Sequence, residues 1–250
     1  MGAVDFVGKP TVDFQRGMQE RSEEIIQKVK AAARARVVSK SEKVHTKTSS
    51  VSTGPGYNST HKMVAIGAST GGVEALREVI CALPPDSPAI LITQHMPGGF
   101  TKSFADRLNT MSAVAVSEAT DGETVLPGHV YIAQGDAHLK LVRSGGRFLC
   151  KVEDGPAVSG HKPSVDVLFD SVATAAGNNA IGVILTGMGR DGAKGMKTMS
   201  EAGAVTLGQD ETTSLVYGMP RVAHELGGVQ HQLPLDKIAG EIIKHCSEMS

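Results

Sequence analysis

The chain has 250 residues, 40% of them hydrophobic, with 29 glycines and 25 Lys plus Arg against 26 Asp plus Glu, for a formal net charge of -1. That apolar content suffices for one sizeable core with many tight turns, and the charge balance excludes a global basic field for nucleic acid or anionic lipid. No apolar run approaches the roughly 20 residues needed to span a bilayer, so no direct membrane insertion is expected. Cys81, Cys150 and Cys246 form no C-x-x-C pair and the nine histidines include no H-E-x-x-H, so neither a metal nor an organic cofactor is expected. Three unpaired cysteines without a signal peptide fit a reducing cytoplasm.

In chain order, Ala3 to Pro10 resembles the last strand and Lys-Pro turn of a response-regulator receiver domain, and about Asp13 to Arg36 would be its final helix and exit. Residues 1–36 are therefore expected to be a receiver remnant without a phosphoacceptor aspartate. The plainer alternative is an amphipathic helix with Met18, Ile25, Ile26 and Val29 on one side. Ser39 to Thr60 is rich in Ser, Thr and Lys with Gly54-Pro55-Gly56 near its end, and residues 37–61 are expected to be a flexible linker.

Residues 62–250 then alternate strand and helix. Met63-Val64-Ala65-Ile66 predicts a strand, and Val73, Leu76, Val79, Ile80 and Leu83 make a helical core stripe before Pro84-Pro85. Ala89-Ile90-Leu91-Ile92-Thr93 is apolar without interruption, as in a strand buried on both faces of a parallel sheet. Phe100, Phe104 and Leu108 make another core stripe. Leu139 to Val142 and Phe148 to Val152 flank a turn and predict a β-hairpin added to the sheet. A helix over Asp166 to Ala176 ends at Gly177, Ile181 to Thr186 is a second buried strand, a helix after Asp191 ends at Gly203, a short one closes at Gly227, and Leu235, Ile238, Ile242 and Ile243 mark the last. The expected fold is a three-layer α/β/α domain with a mostly parallel, doubly wound sheet and an antiparallel hairpin.

Three strand ends carry chemistry. Gly67-Ala68-Ser69-Thr70-Gly71 is a G-x-S-x-G turn from strand to helix, where glycines lift a serine hydroxyl off the sheet and a helix N-terminus offers N–H groups to an oxyanion. The second strand runs out at Gln94-His95-Met96-Pro97, and the other buried strand at Gly187-Met188-Gly189-Arg190-Asp191-Gly192. Open parallel sheets bind ligands outside the carboxyl ends of their strands, so Ser69, His95 and Asp191 share one rim as nucleophile, base and orienter. This Ser, His, Asp order differs from the Ser, Asp, His order of α/β-hydrolases. A second triad, Ser69, Asp191 and His224, would keep the hydrolase order but places its histidine in a short helix. A nucleotide site is a competing reading of Gly67 to Gly72, weakened by Ser69 at the middle glycine and by Gln94-His95 where an acidic ribose ligand belongs. A binding-only adaptor is the third, and the intact triad opposes it.

Ile66 to Gly72, Thr93 to Pro97, His161-Lys162-Pro163-Ser164-Val165-Asp166, Leu185 to Gly192 and Gly218-Met219-Pro220-Arg221 together resemble the catalytic domain of the bacterial chemotaxis receptor methylesterase, from about Lys62 to the C-terminus. The resemblance implies a cytoplasmic serine hydrolase, recruited to receptor clusters, that demethylates γ-glutamyl methyl esters on the cytoplasmic helices of methyl-accepting chemotaxis receptors and deamidates receptor glutamines. It implies the triad Ser69, His95 and Asp191, an oxyanion-hole N–H from Met188, and Thr70 in the active site. A chemotaxis histidine kinase is the implied partner of the full-length protein, and a monomer is expected. His161, Lys162, Arg190 and Arg221 lie in the same motifs and are candidates for contacts with the acidic receptor helix.

Overall fold

The structure is a computed structural model, which describes residues 22–34 and 62–248. The first segment is a helix, α1 (Ser22–Arg34), on which Ile26 and Val29 are exposed. The Ala3 to Pro10 strand, Met18 and the 37–61 linker lie outside the described residues.

Residues 62–248 build a seven-stranded, wholly parallel sheet. Its strands are β1 (Met63–Ala68), β2 (Ala89–Gln94), β3 (Ala115–Glu118), β4 (His129–Ile132), β7 (Ala180–Ile184), β8 (Val205–Gln209) and β9 (His231–Leu233), in the spatial order β3-β4-β2-β1-β7-β8-β9. The helices are α2 (Gly72–Cys81), α3 (Phe100–Met111), α4 (Val165–Ala176), α5 (Ala193–Glu201), α6 (Met219–Glu225) and α7 (Leu235–Glu248). Alternate residues of β1 serve two separate cores, because side chains on a strand point to opposite faces. Met63 and Ala65 join α4, α5 and α6 on one face, while Val64 and Ile66 join α2, α3 and α7 on the other. Burial on both faces is why β1, β2 and β7 read as unbroken apolar runs.

Topology then fixes where a site can form. From β1 the chain moves to β2, and from β7 it moves the opposite way to β8, so the connections part at the carboxyl ends of β1 and β7. A crevice opens at such a switch point in doubly wound sheets.

Two expectations need correction. The hairpin, β5 (His138–Ser144) and β6 (Arg147–Glu153), is a separate two-stranded sheet and does not extend the main one. Its outer edge is taken by the stretch before β4, through Cys150 N–H to Glu123 O at 2.8 Å and Val125 N–H to Phe148 O at 2.9 Å, and Leu139 and Leu141 bury themselves in the α4 core. Phe100 is not core: it is 50% exposed. It stands at the first position of α3, and the buried stripe is instead Thr101, Phe104, Ala105 and Leu108, the i, i+3, i+4, i+7 set.

Candidate active site at the carboxyl edge of the sheet

Sheet register delivers the serine and the histidine together. Ala68 pairs with Gln94 across β1 and β2, so the next residue of each strand, Ser69 and His95, emerges side by side. The ladder runs one step past the strands: His95 N–H donates to Ala68 O at 3.1 Å and Ser69 N–H donates to Thr186 O at 3.1 Å. Gly71 turns the chain into α2 with φ 81, and a Cβ there would lie 2.8 Å from Leu215 Cβ, so this corner accepts only glycine. The 187–189 loop comes just as close: a Cβ on Gly187 would lie 2.9 Å from Ser69 Cβ. That loop is pinned where Gly187 O accepts from Gly218 N–H at 3.1 Å and from Met219 N–H at 2.9 Å.

The His95 ring bridges the other two groups. Its Nδ1 lies 3.1 Å from Ser69 Oγ and its Nε2 lies 2.8 Å from Asp191 Oδ2. A carboxylate only accepts, so Nε2 carries the proton and Nδ1 turns its lone pair toward the Ser69 hydroxyl. The base is thus ready to take the serine proton. The side chain of His95 is 10% exposed and that of Asp191 is 0%.

Asp191 is held by the N-terminus of α4. Its Oδ2 accepts from Val165 N–H at 2.7 Å, while its Oδ1 accepts from Asp166 N–H at 3.1 Å and from Ser164 Oγ at 2.8 Å. Ser164 occupies the N-cap position but makes no side-chain cap bond. A carboxylate from a distant loop caps the helix instead, satisfying first-turn N–H groups and meeting the positive end of the helix dipole. Burial by itself would raise the Asp191 pKa. The His95 hydrogen bond and charge, with the Val165 and Asp166 N–H groups, outweigh it and leave the carboxyl below its ordinary value. Asp166, next to it, goes the other way: burial lifts its pKa, and the Asp191 charge adds to the lift despite hydrogen bonds from Gly195 and Ser159.

Thr70 is buried, and its carbonyl accepts from Thr186 Oγ1 at 3.0 Å; Met188 is half-buried beside Gly187. His161 lies flat on His95, with ring centroids 3.8 Å apart and planes 6° from parallel. Lys162 pairs with Asp154 at 2.6 Å, Arg190 is exposed, and Arg221 reaches Glu225 at 4.0 Å. His224 is exposed in the last turn of α6, and Ser69 and Asp191 both bond His95.

Two contributors, Gln94 and Ser164, were not foreseen, and neither was the contact that His161 makes. Gln94 Nε2 donates to Ser69 O at 3.1 Å and to His95 O at 3.0 Å, tying the backbones of nucleophile and base. Ser164 steadies Asp191, and His161 covers the His95 ring. Ser164 just before a helical run carried an N-cap signal, but its actual partner is a residue far along the chain.

His95, His161 and Asp191 each bring a potential ligand atom within 4.8 Å of the others, but they do not form a metal centre. Imidazole binds a metal along an in-plane lone pair, and stacked rings point their lone pairs side by side. The Asp191 carboxylate already meets four donors, as many as it has acceptor positions. A cysteine nucleophile is excluded at Cys150, whose thiol burial pushes up to about 12.

Comparison with known proteins decides the family, since the model of the CheB methylesterase family matches residues 64–242. The chain belongs to the CheB methylesterase family. It is 52% identical over 247 residues to the protein-glutamate methylesterase/protein-glutamine glutaminase of Salmonella typhimurium (strain LT2), covering 99% of this chain and 70% of that protein. Similarity to protein-glutamate methylesterase/protein-glutamine glutaminase 2 of Xanthomonas oryzae pv. oryzae (strain MAFF 311018) is 51% over 251 residues, covering 97% of this chain and 70% of that one. Among solved structures, the Thermotoga maritima CheB methylesterase catalytic domain superposes with a TM-score of 0.73 at 41% identity, over 74% of this chain and 99% of that domain. The parallel sheet with helices on both faces is thus the fold of a CheB catalytic domain.

Proposed function

We propose that this CheB-family chain is a protein-glutamate methylesterase and protein-glutamine glutaminase, with Ser69 as nucleophile, His95 as general base and Asp191 as orienter. The observation that carries the reading is the single imidazole bonded at one nitrogen to a serine hydroxyl and at the other to a buried carboxylate. In the reaction, Ser69 Oγ attacks the γ-carbonyl of a glutamyl methyl ester as its proton passes to His95 Nδ1, and Asp191 stabilises the imidazolium that forms. The oxyanion is met by the Met188 N–H together with donors at the start of α2 near Thr70; the Ser69 N–H is spent on Thr186 O. His95 returns the proton to the departing methoxide, releasing methanol. Water, deprotonated by the same nitrogen, then frees the glutamate. With a glutamine the leaving group is ammonia, and the remaining steps are unchanged.

The substrates on this reading are the cytoplasmic helices of chemotaxis receptors, whose glutamates suit the exposed cations Arg190 and Arg221 and the half-buried Lys162 at this edge. Residues 62–250 are the catalytic domain, 37–61 a linker and 1–36 the end of a receiver domain, with α1 lying within the stretch expected for its last helix. A chemotaxis histidine kinase is the partner of the longer protein, and the chain works as a cytoplasmic monomer recruited to receptor clusters. Among the described residues no helix is long and apolar enough to cross a membrane. The reading is tested by incubating the chain with receptor membranes carrying labelled methyl esters. Volatile methanol is expected to appear as the receptors lose label, and its absence would overturn the assignment.

A further inference from the structure

We infer that His161 is a positioning residue for the catalytic base, a flat stop that holds the His95 imidazole in its reactive plane. Hydrogen bonds at Nδ1 and Nε2 and the bond to Cβ hold the ring by its edge, and small tilts out of its plane weaken those hydrogen bonds only gradually. A rigid plane against one ring face resists such tilts. His161 supplies that plane at 3.8 Å and within 6° of parallel.

The segment carrying His161 is itself braced. Val158 and His161 exchange both backbone hydrogen bonds, at 3.0 and 2.9 Å, around Ser159 at φ 53 and Gly160 at φ 82. Two successive positive φ values mark the tight hairpin turn of the I′ kind. Ser159 is no glycine, and its hydroxyl donates to Asp166 Oδ2 at 2.9 Å, while Asp166 Oδ1 accepts from Gly195 N–H at 2.9 Å. His161 Nδ1 lies 3.0 Å from Ser159 O, so Nδ1 carries a proton and the ring orientation is set from within the turn. Asp166 and Asp191 therefore work in parallel from the same helix end: one fixes the base at its edge, the other fixes the turn that presses on its face. The sequence makes His161 a candidate receptor contact, and the stacking gives it a place against the base.

The inference rests on the proposed esterase mechanism, and its test separates the two. Wild type, Ser69→Ala, His161→Ala and His161→Phe are assayed on p-nitrophenyl acetate, with kcat expressed per Ser69 labelled to completion by a fluorophosphonate, so that unfolded protein does not count, and with the Ser69→Ala rate expressed per folded chain by circular dichroism. His161→Ala is expected to lose about 10–100-fold in kcat with KM unchanged. His161→Phe, which keeps a flat ring without ring nitrogens, is expected to recover to within a few-fold of wild type. A wild-type kcat in His161→Ala, a rise confined to KM, or a His161→Phe as slow as His161→Ala would overturn the positioning role. Hydrolysis equal in wild type and Ser69→Ala would overturn the mechanism itself, and this inference with it.

Discussion

Ser69→Ala and His95→Ala are each expected to lower the turnover of receptor methyl esters by about 10⁵–10⁶-fold, and the double variant to be no slower than either. The two side chains act as a unit, since a hydroxyl without the base is a poor nucleophile and a base without the hydroxyl has nothing to activate. A residual rate on the order of 10³–10⁴ over water is expected from the oxyanion donors and substrate binding, which neither change touches. Stability is spared in Ser69→Ala, because the backbone bond from Ser69 N–H to Thr186 O and the Gln94 contact to Ser69 O involve no side-chain atom of the serine. Methanol release by stopped assay, beside a thermal melt, checks both halves. A His95→Ala variant that keeps its rate while His224→Ala loses it would transfer the role of base to α6.

Asp191→Asn is expected to cost about 10⁴-fold in kcat. Asparagine has one acceptor oxygen where Asp191 offers two, and four donors converge on that carboxylate. With its NH₂ toward His95 it forces the proton onto Nδ1, the nitrogen that must accept from Ser69. Whichever way its NH₂ turns, it also opposes a backbone N–H that needs an acceptor, that of Val165 beside His95 or that of Asp166 beside Ser164. The second loss appears in stability and carries a pH signature. Because the folded Asp191 carboxyl lies below its ordinary value, it contributes stability that is fully present above its unfolded pKa of about 3.9 and is lost as pH falls through the folded value. Melting curves should therefore separate wild type from Asp191→Asn above about pH 4 and draw them together below it. Curves that stay equally separated at every pH would mean that the charge of Asp191 is not what holds the N-terminus of α4.

Ser69, His95 and Asp191 were legible because strand ends are legible. Unbroken apolar runs identified β1, β2 and β7 as buried parallel strands, and parallel strands put their following residues on one edge. What could not be read was register and everything it aligns. That Ala68 pairs with Gln94, and so places Ser69 beside His95, depends on sheet packing. The choice of Nδ1 as the base, the capping of α4 by Asp191 and the stacking of His161 are contacts between residues 25 or more positions apart, and no periodicity in the chain encodes them. The short strands β3, β4 and β9, at four, four and three residues, lie at or below the shortest length at which alternation is a signal. Phe100 misled for a related reason: at a helix start, a shift of one residue turns a core position into an exposed one.

The nucleophile is identified by the site of covalent modification with a fluorophosphonate, which reacts far faster with a serine activated by its neighbours than with any other. Wild-type chain is treated, digested and analysed by mass spectrometry. One adduct per chain is expected, on Ser69, formed orders of magnitude more slowly in His95→Ala and absent in Ser69→Ala. An adduct on any other residue, or labelling of Ser69 at an undiminished rate without His95, would contradict the roles of Ser69 and His95.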